Sequence, residues 1–475
     1  MGGAAIEWQS GDLGAAFQLA AGNGRPLFLY WGARWCPPCN RVKADIFSRP
    51  DFAQRMRNLL PFWLDGDAPG AQALAAQYRL RSYPTLVLFS ADGREITRLP
   101  CELDGERFIA ALDIALAARH TAAESLQAAL TGARQLADAE WSLLSLYSWD
   151  TDEGHLSTAA EQPAVLARLA AACSASATSE NDAGAEAAAR LHLHAQVAAA
   201  GRIATGGPAG NASASAAQAA AAIAASADRL LTVFGDARLA RANMDILVNS
   251  GVNLVKWSGA RHAELVQALG QAARNFAADA SLSAGDRLMA VRLQMRMVRI
   301  GGTAEGMVEL VKQTVEQALE AEVDPCARHT LVNTAVSALN DAGLPEQAEA
   351  LLQAELAVSH APYYFMLSLA SAARRRGDAA ATLGWYEKAW SAAEGGATRL
   401  QWGTTYLTSV IDLSPEDQSR IEAAAAGLAQ EIAANPDAYQ QRNRTQLQRL
   451  ASKLALLTVP GPHAGALQRM LNANL

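Results

Sequence analysis

The sequence predicts an α/β domain over residues 1–120 followed by an all-α region over residues 121–475. Three observations carry this reading. The apolar run 26–31 leads into Trp35-Cys36-Pro37-Pro38-Cys39 and then into a helical segment over 40–47, a strand-to-helix turn bearing two thiols. Residues 85–89 and 95–99 read as strands joined by the hairpin signal Ala91-Asp92-Gly93. Beyond about His120 no period-two pattern persists, and Ala, Leu, Gln and Glu dominate segments punctuated by Gly, Pro, Asn and Asp.

Thiols at i and i+3 in the first turn of a helix are close enough to form a disulfide without moving the backbone. Cys36 would sit where unpaired N–H groups and the positive end of the helix dipole favour a thiolate, so a lowered pKa, near ~7, is expected. Pro37 suits the first helical position, because its missing N–H is no loss there. Val42 and Ile46, four apart, give that helix an apolar face, and Pro50 is expected to end it. Earlier in the chain, residues 6–8 read as a short strand and Ser10 as the cap of a helix over 13–20. Later come an acid-ended strand over 62–65, a helix over 71–78, the segment Ser82-Tyr83-Pro84-Thr85, and a closing helix from Phe108.

In this order of parts the first quarter of the chain, from about Ile6 to about Ala118, resembles the thioredoxin family. The stretch Ile46-Phe47-Ser48-Arg49-Pro50-Asp51-Phe52 and the short helix after it are more similar to the C-terminal domain of membrane thiol:disulfide interchange proteins. The resemblance implies a thioredoxin fold and disulfide exchange at Cys36 and Cys39. It also implies a cis-proline at Pro84 against the pair, with Trp35, Tyr83, Pro84 and Cys101 in the substrate groove. Three positions depart from the family. Tyr30 stands where many thioredoxins bury an acid, with no lysine counterpart near Pro61. Pro37 replaces the usual glycine between the cysteines. Cys101 falls where a glycine is common in the groove.

Composition narrows the function. The chain has 475 residues, 18% of them charged, a net charge of −7 and no basic run that could follow a phosphate backbone, so nucleic acid is not an expected partner. Neither a signal-like N-terminus nor an 18-residue apolar stretch is present, and the reading is a cytoplasmic protein without a membrane partner. Cys101, Cys173 and Cys326 remain once Cys36 and Cys39 pair, which suits a reducing compartment.

In the helical region, Gly343 and Gly377 lie 34 residues apart, the period of tetratricopeptide repeats. Gly377 is followed by Leu383, Tyr386, Ala389 and Trp390, and Gly343 by Ala348, Leu351 and Leu352, so the clearest repeats are read over 330–395. The whole region is expected to form a solenoid of the same kind. Residues 174–182 and 206–211 read as loose connections, and 216–226 as a solvated helix.

Duller readings apply to several residues. Half of a zinc site is the alternative for Cys36 and Cys39, but no second pair exists, and neither a metal nor another cofactor is expected. Cys101 can be a bystander thiol. His192 and His194, two apart on a helix, face different ways and read as core, as do Met289, Met295, Met297 and Met307. Trp35 is read either as a rim of the substrate surface or as packing.

The function expected is thiol–disulfide exchange on protein disulfides. Cys36 attacks, Cys39 resolves, an upstream thiol donor restores the dithiol, and the helical region recruits clients. The alternative is a co-chaperone or assembly adaptor, similar in architecture to the chaperedoxins, whose main activity is protein binding by the helical repeats.

Overall fold

The computed structural model of the chain describes residues 6–176, 182–205, 212–457 and 460–475. Its first part runs α1 (Leu13–Asn23), β1 (Leu27–Gly32), α2 (Pro37–Val42), α3 (Pro50–Met56), β2 (Leu60–Asp65), α4 (Ala71–Gln77), β3 (Thr85–Phe89), β4 (Glu95–Leu99) and α5 (Gly105–Leu116). The strands form one sheet in the order β2-β1-β3-β4, with β1 parallel to β2 and antiparallel to β3.

Every residue of β1 is buried because helices cover both faces of the sheet. Leu27, Leu29 and Trp31 point to one side, where they meet Leu13 and Ala16 of α1 and Ala71 and Ala75 of α4. Phe28 and Tyr30 point to the other, against Val42, Phe52, Phe108 and Leu112. This is the alternation a pleated strand imposes.

Three local expectations differ from the structure. Residues 6–8 form no strand, and only Gln9 bridges to Phe62. The cap of α1 is Asp12, whose carboxylate accepts from the Gly14 and Ala15 amides, so Ser10 lies outside the helix. Pro50 begins α3 instead of ending its predecessor, because α2 runs on through a π-turn over Lys43–Phe47 and stops before it.

After α5 the described residues are all helix and connection. The helices Pro325–Asp341 and Pro345–Glu355 form one hairpin, and Pro362–Arg375 and Ala379–Ala392 the next. Gly343 and Gly377 turn the two hairpins with φ of 76° and 77°, a conformation that favours glycine. Residues 174–176, expected to be loose, continue the helix Gln162–Ser176, while 177–181 and 206–211 lie outside the described residues. The stretch 216–225 belongs to the helix Ala212–Ala225, and it buries Ile223. No helix among the described residues is long and apolar enough to cross a membrane.

The helical region folds back over the sheet domain. The helix Pro325–Asp341 packs on α2, and Gln441–Leu454 packs on α4. Ala361, Tyr363, Ala389 and Trp402 join the same apolar cluster as Cys36 and Cys39. Charged pairs reinforce the contact: Arg41 meets Asp286 at 2.6 Å and Arg241 meets Asp104 at 2.7 Å.

Candidate functional site

Cys36 caps α2 with extended backbone, and Pro37 and Pro38 occupy the first helical turn after it. The helix then turns Cys39 back beneath Cys36, where each thiol alters the other's ionisation. Both thiols are free and buried, Cys36 with 3% and Cys39 with 0% exposure. The Tyr83-Pro84 peptide is cis, and the Cys36 thiol donates to the Tyr83 carbonyl at 3.6 Å. A Cβ on Gly66 would fall 1.9 Å from the Tyr83 hydroxyl, so glycine there leaves the ring its place. That hydroxyl accepts from Gln72 Nε2 at 3.0 Å, and the Arg442 guanidinium lies 4.3 Å from the ring centroid.

The electrostatics differ from the expectation of a lowered Cys36 pKa. Burial, followed by the hydrogen bond to Cys39, pushes the Cys36 thiol well above its ordinary value. Burial opposes ionisation of Cys39 as well, but donation from Cys36 and the Ala33 amide brings its pKa below the ordinary value. Tyr30, in the position of the missing acid, is buried under Cys39 and turns towards it a hydroxyl with no nitrogen or oxygen partner. The helix N-terminus expected to favour a Cys36 thiolate is present; the helical region removes the water that would have let it do so.

Trp35 shows how complete that cover is. It is buried rather than forming an open rim, with Nε1 donating to Thr398 Oγ1 at 2.8 Å and its ring stacked on Tyr364 at 5.7 Å. Its carbonyl accepts from His329 Nε2 at 2.9 Å. Thr398 in turn donates from its backbone and hydroxyl to Asp67, each at 2.7 Å. Burial raises the Asp67 carboxyl to about 6.

On the other side of the dithiol the contact is incomplete. Cavities of about 250 and 220 Å³ share Pro38, Cys101, Glu102, Asp245 and Asn249 as walls, and the smaller also reaches Ser82, Tyr83 and Pro84. Cys101 therefore lies where the sequence placed it, beside the proline loop, its thiol donating to the Pro84 carbonyl at 3.6 Å. Burial raises its pKa well above the ordinary thiol value. Glu102 is exposed and accepts from Asn249 Nδ2 at 2.7 Å.

The structure brings together Trp35, Cys36, Cys39, Tyr83, Pro84 and Cys101, all of which the sequence singled out. It adds His329, Tyr364, Thr398, Trp402 and Arg442 above the dithiol, and Glu102 and His194 around the cavities. None of these carries a motif: Glu102 merely follows Cys101 in the turn after β4, and the others reach the site only through packing between distant helices. His192 and His194 are buried in the helix Asp182–Thr205, and among the described residues no group of three ligand-type side chains could hold a metal. Met297 and Met307 are core, with Met289 and Met295 partly buried beside it.

Residues 13–116 match the family model of a thioredoxin-like domain. Over 95 residues the chain is 30% identical to thiol:disulfide interchange protein DsbD 1 of Pseudomonas aeruginosa, covering 19% of this chain and 16% of that protein. Over 79 residues it is 30% identical to thiol:disulfide interchange protein DsbD of Klebsiella pneumoniae, covering 16% of this chain and 13% of that protein. The chain thus spans less than a fifth of the length of these curated relatives. Among solved structures, a DsbH oxidoreductase is similar at 23% identity and a TM-score of 0.23, covering 24% of this chain and 88% of that one. A thioredoxin from Thermus thermophilus is similar at 22% identity and a TM-score of 0.22, with 24% and 89% covered.

Proposed function

We propose that this chain, a thioredoxin-like domain joined near residue 120 to a large all-helical region, is a thiol–disulfide oxidoreductase whose reactive pair is Cys36 and Cys39. The observation that carries the reading is the Cys36 sulfur at the cap of α2, hydrogen-bonded to the Tyr83 carbonyl with Cys39 directly behind it. A substrate sulfur arriving along the Ser82–Pro84 wall meets Cys36 first, because Cys39 has no exposed surface.

Attack requires the pair to have lost one proton, and the lowered Cys39 thiol is the one that gives it up more readily. Cys36 forms a bond to one substrate sulfur as the substrate S–S bond breaks, the first thiolate leaves, and the Cys36 proton passes to Cys39. Cys39 then attacks Cys36, its proton goes to the departing second thiol, and the Cys36–Cys39 disulfide remains. An upstream dithiol donor reverses that last oxidation. Tyr30, beneath Cys39, supplies a hydroxyl that steadies negative charge there, a role many relatives give to an acid.

The helical region, with its two clearest hairpins read as tetratricopeptide-like, controls access to the pair. Recruitment of protein clients is then a task for its outer surface, since its inner face is occupied by the domain it would serve. A cytoplasmic setting would keep the dithiol reduced.

Single-turnover mixing tests this. Pre-reduced protein should convert bis(2-hydroxyethyl) disulfide to thiol with loss of one dithiol per molecule, and Cys36→Ser should abolish the reaction. Wild-type turnover in Cys36→Ser, or none in the wild type, removes the enzymatic reading and leaves the adaptor reading.

A further inference from the structure

Each sulfur of the dithiol has its own cation, and the two cations come from different parts of the fold. Lys43, four residues after Cys39 in the π-turn, is one of the groups that lower Cys39 against its burial. For Cys36 the cation is Arg442, in the helix Gln441–Leu454. Burial raises the Cys36 thiol, and the Arg442 guanidinium acts in the opposite direction. Cys39, Tyr30 and Tyr364 also interact electrostatically with Cys36. Each of these is neutral or negative, so none offsets a charge on its sulfur.

Arg442 is held firmly where it stands. Its guanidinium carbon lies 4.3 Å from the Tyr83 ring centroid, and Nη1 donates to the Arg81 carbonyl at 3.1 Å. Its backbone amide donates to Gln72 Oε1 at 3.3 Å, and Gln72 Nε2 donates in turn to the Tyr83 hydroxyl at 3.0 Å. The guanidinium is thereby fixed to the loop whose Tyr83 carbonyl accepts from the Cys36 thiol at 3.6 Å. No carboxylate pairs with it among the described residues, and its buried Nε has no partner. A half-buried cation without a counter-ion is an unbalanced charge, and the group it faces feels it. The backbone supplies an independent observation. Gln441, directly before Arg442, has a φ of 40°, in the left-handed region that disfavours a side chain. Its Nε2 donates to the Leu80 and Ala75 carbonyls at 2.9 and 3.3 Å, which holds the strained residue in place. Strain of this kind collects where a neighbouring group has to be aimed, and here that group is Arg442.

Resting on the oxidoreductase reading, we propose that Arg442 is a positioning residue for the exchange: the helical region supplies the cation that draws the pair's single negative charge from Cys39 to Cys36 at the moment of attack. The proton moves the other way, from Cys36 to Cys39. The Cys36 sulfur bonds to one substrate sulfur, and the other leaves as a thiolate, so no further reactant is needed. The helical region is then part of the site as well as its cover.

The test reads the ionisation of Cys36 in the full-length chain carrying Cys39→Ala, which removes the causes other than burial that raise it. The rate of Cys36 alkylation by iodoacetamide is followed between pH 6 and pH 11 by peptide mass spectrometry. Access to the sulfur scales the whole curve, whereas ionisation sets its midpoint. Adding Arg442→Gln should raise the midpoint by about one pH unit, and Arg442→Lys, which keeps the charge, should recover most of that rise. With Cys39 restored, Arg442→Gln should slow single-turnover reduction of bis(2-hydroxyethyl) disulfide at pH 7 by about threefold, because a tenfold loss of thiolate is partly returned by its higher nucleophilicity. A midpoint unmoved by Arg442→Gln makes Arg442 an interface contact only and overturns the assignment. So does a midpoint raised equally in Arg442→Gln and Arg442→Lys, which traces the effect to packing, or a Cys36 still protonated at pH 11 with Arg442 in place. If the wild type reduces no disulfide, the oxidoreductase reading fails, and the midpoint still decides whether Arg442 governs Cys36. Should Arg442→Gln not fold, Arg442→Met, whose stem keeps the packing on Tyr83, replaces it with the same outcomes.

Discussion

On one side of Cys36 the helical region meets the thioredoxin-like domain through an aromatic stack and matched hydrogen bonds, whereas on the other it stops short and leaves cavities lined by charged side chains of both signs. The chemistry of the two sides follows from what each has to exclude. Trp35, Tyr364 and Trp402 bury large apolar areas, and the Trp35 indole donates to Thr398, whereas the Trp402 indole has no partner among the described residues. Glu102 and Asp150, on the cavity side, stay exposed and so need no counter-charge there. The two sides thus differ in how completely each excludes water, since on the sealed side Trp35 is buried and on the cavity side Glu102 and Asp150 are exposed.

The largest effects that test this difference come from removing one partner on each side. Trp402→Ala should cost roughly 3–5 kcal/mol, as expected for a buried Trp truncated to Ala, and should speed alkylation of Cys36 by iodoacetamide at fixed pH. Urea denaturation and thiol labelling read the two effects. Loss of stability without faster labelling would mean that Trp402 packs the helical region and does not seal the dithiol. On the cavity side, Arg190→Met should cost a similar ~3–5 kcal/mol, because Asp245, with its side chain 7% exposed, would be buried and unpaired. The double variant Arg190→Met/Asp245→Leu should recover most of that loss. If it recovers none, Arg190 matters through its packing or through its hydrogen bond to the Ser145 carbonyl.

A smaller effect concerns pH on the sealed side. Burial, with His360 beside it, lowers His329 to about 4, so the ring is neutral and donates from Nε2 to the Trp35 carbonyl. A base with a lowered native pKa binds fewer protons folded than unfolded. Its contribution is therefore fully present above ~6.5 and is lost as pH falls towards 4. Between pH 7 and pH 5 the wild type should lose roughly 1–2 kcal/mol more than His329→Gln, which keeps an N–H donor but does not titrate. Denaturation midpoints at the two pH values measure this, and an unchanged gap would show that His329 does not govern the acid response of the seal.

Much of the thioredoxin-like domain was legible because its signals are local. The bounds of β3 and β4 are those read from residue alternation and the Asp92-Gly93 turn, and the Cys36–Cys39 turn shows in five consecutive residues. Pro50 was misread because a proline at the end of one helix and at the start of the next gives the same local signal, and the π-turn that separates the two reads from sequence had no signature. The cover over Trp35 was invisible for another reason. Its partners Tyr364, Thr398 and Trp402 are ordinary core-type residues of amphipathic helices, and nothing in a helical period says which neighbour a buried face will meet. His194 was read as core, and it is buried.

The distance along the chain between Trp35 and its cover has a consequence for synthesis. The contacts that close over the dithiol link residues 294, 363 and 370 positions apart. The thioredoxin-like domain can fold as soon as its own residues have left the ribosome, whereas Thr398 and Arg442 do not yet exist. At translation rates of about 5–20 residues per second, the interval before they appear is on the order of half a minute. Each new molecule therefore passes through a period in which Cys36 and Cys39 are folded but uncovered, open to oxidants and to other thiols. The finished protein reaches its closed form only if that pair stays unmodified until the last helices arrive.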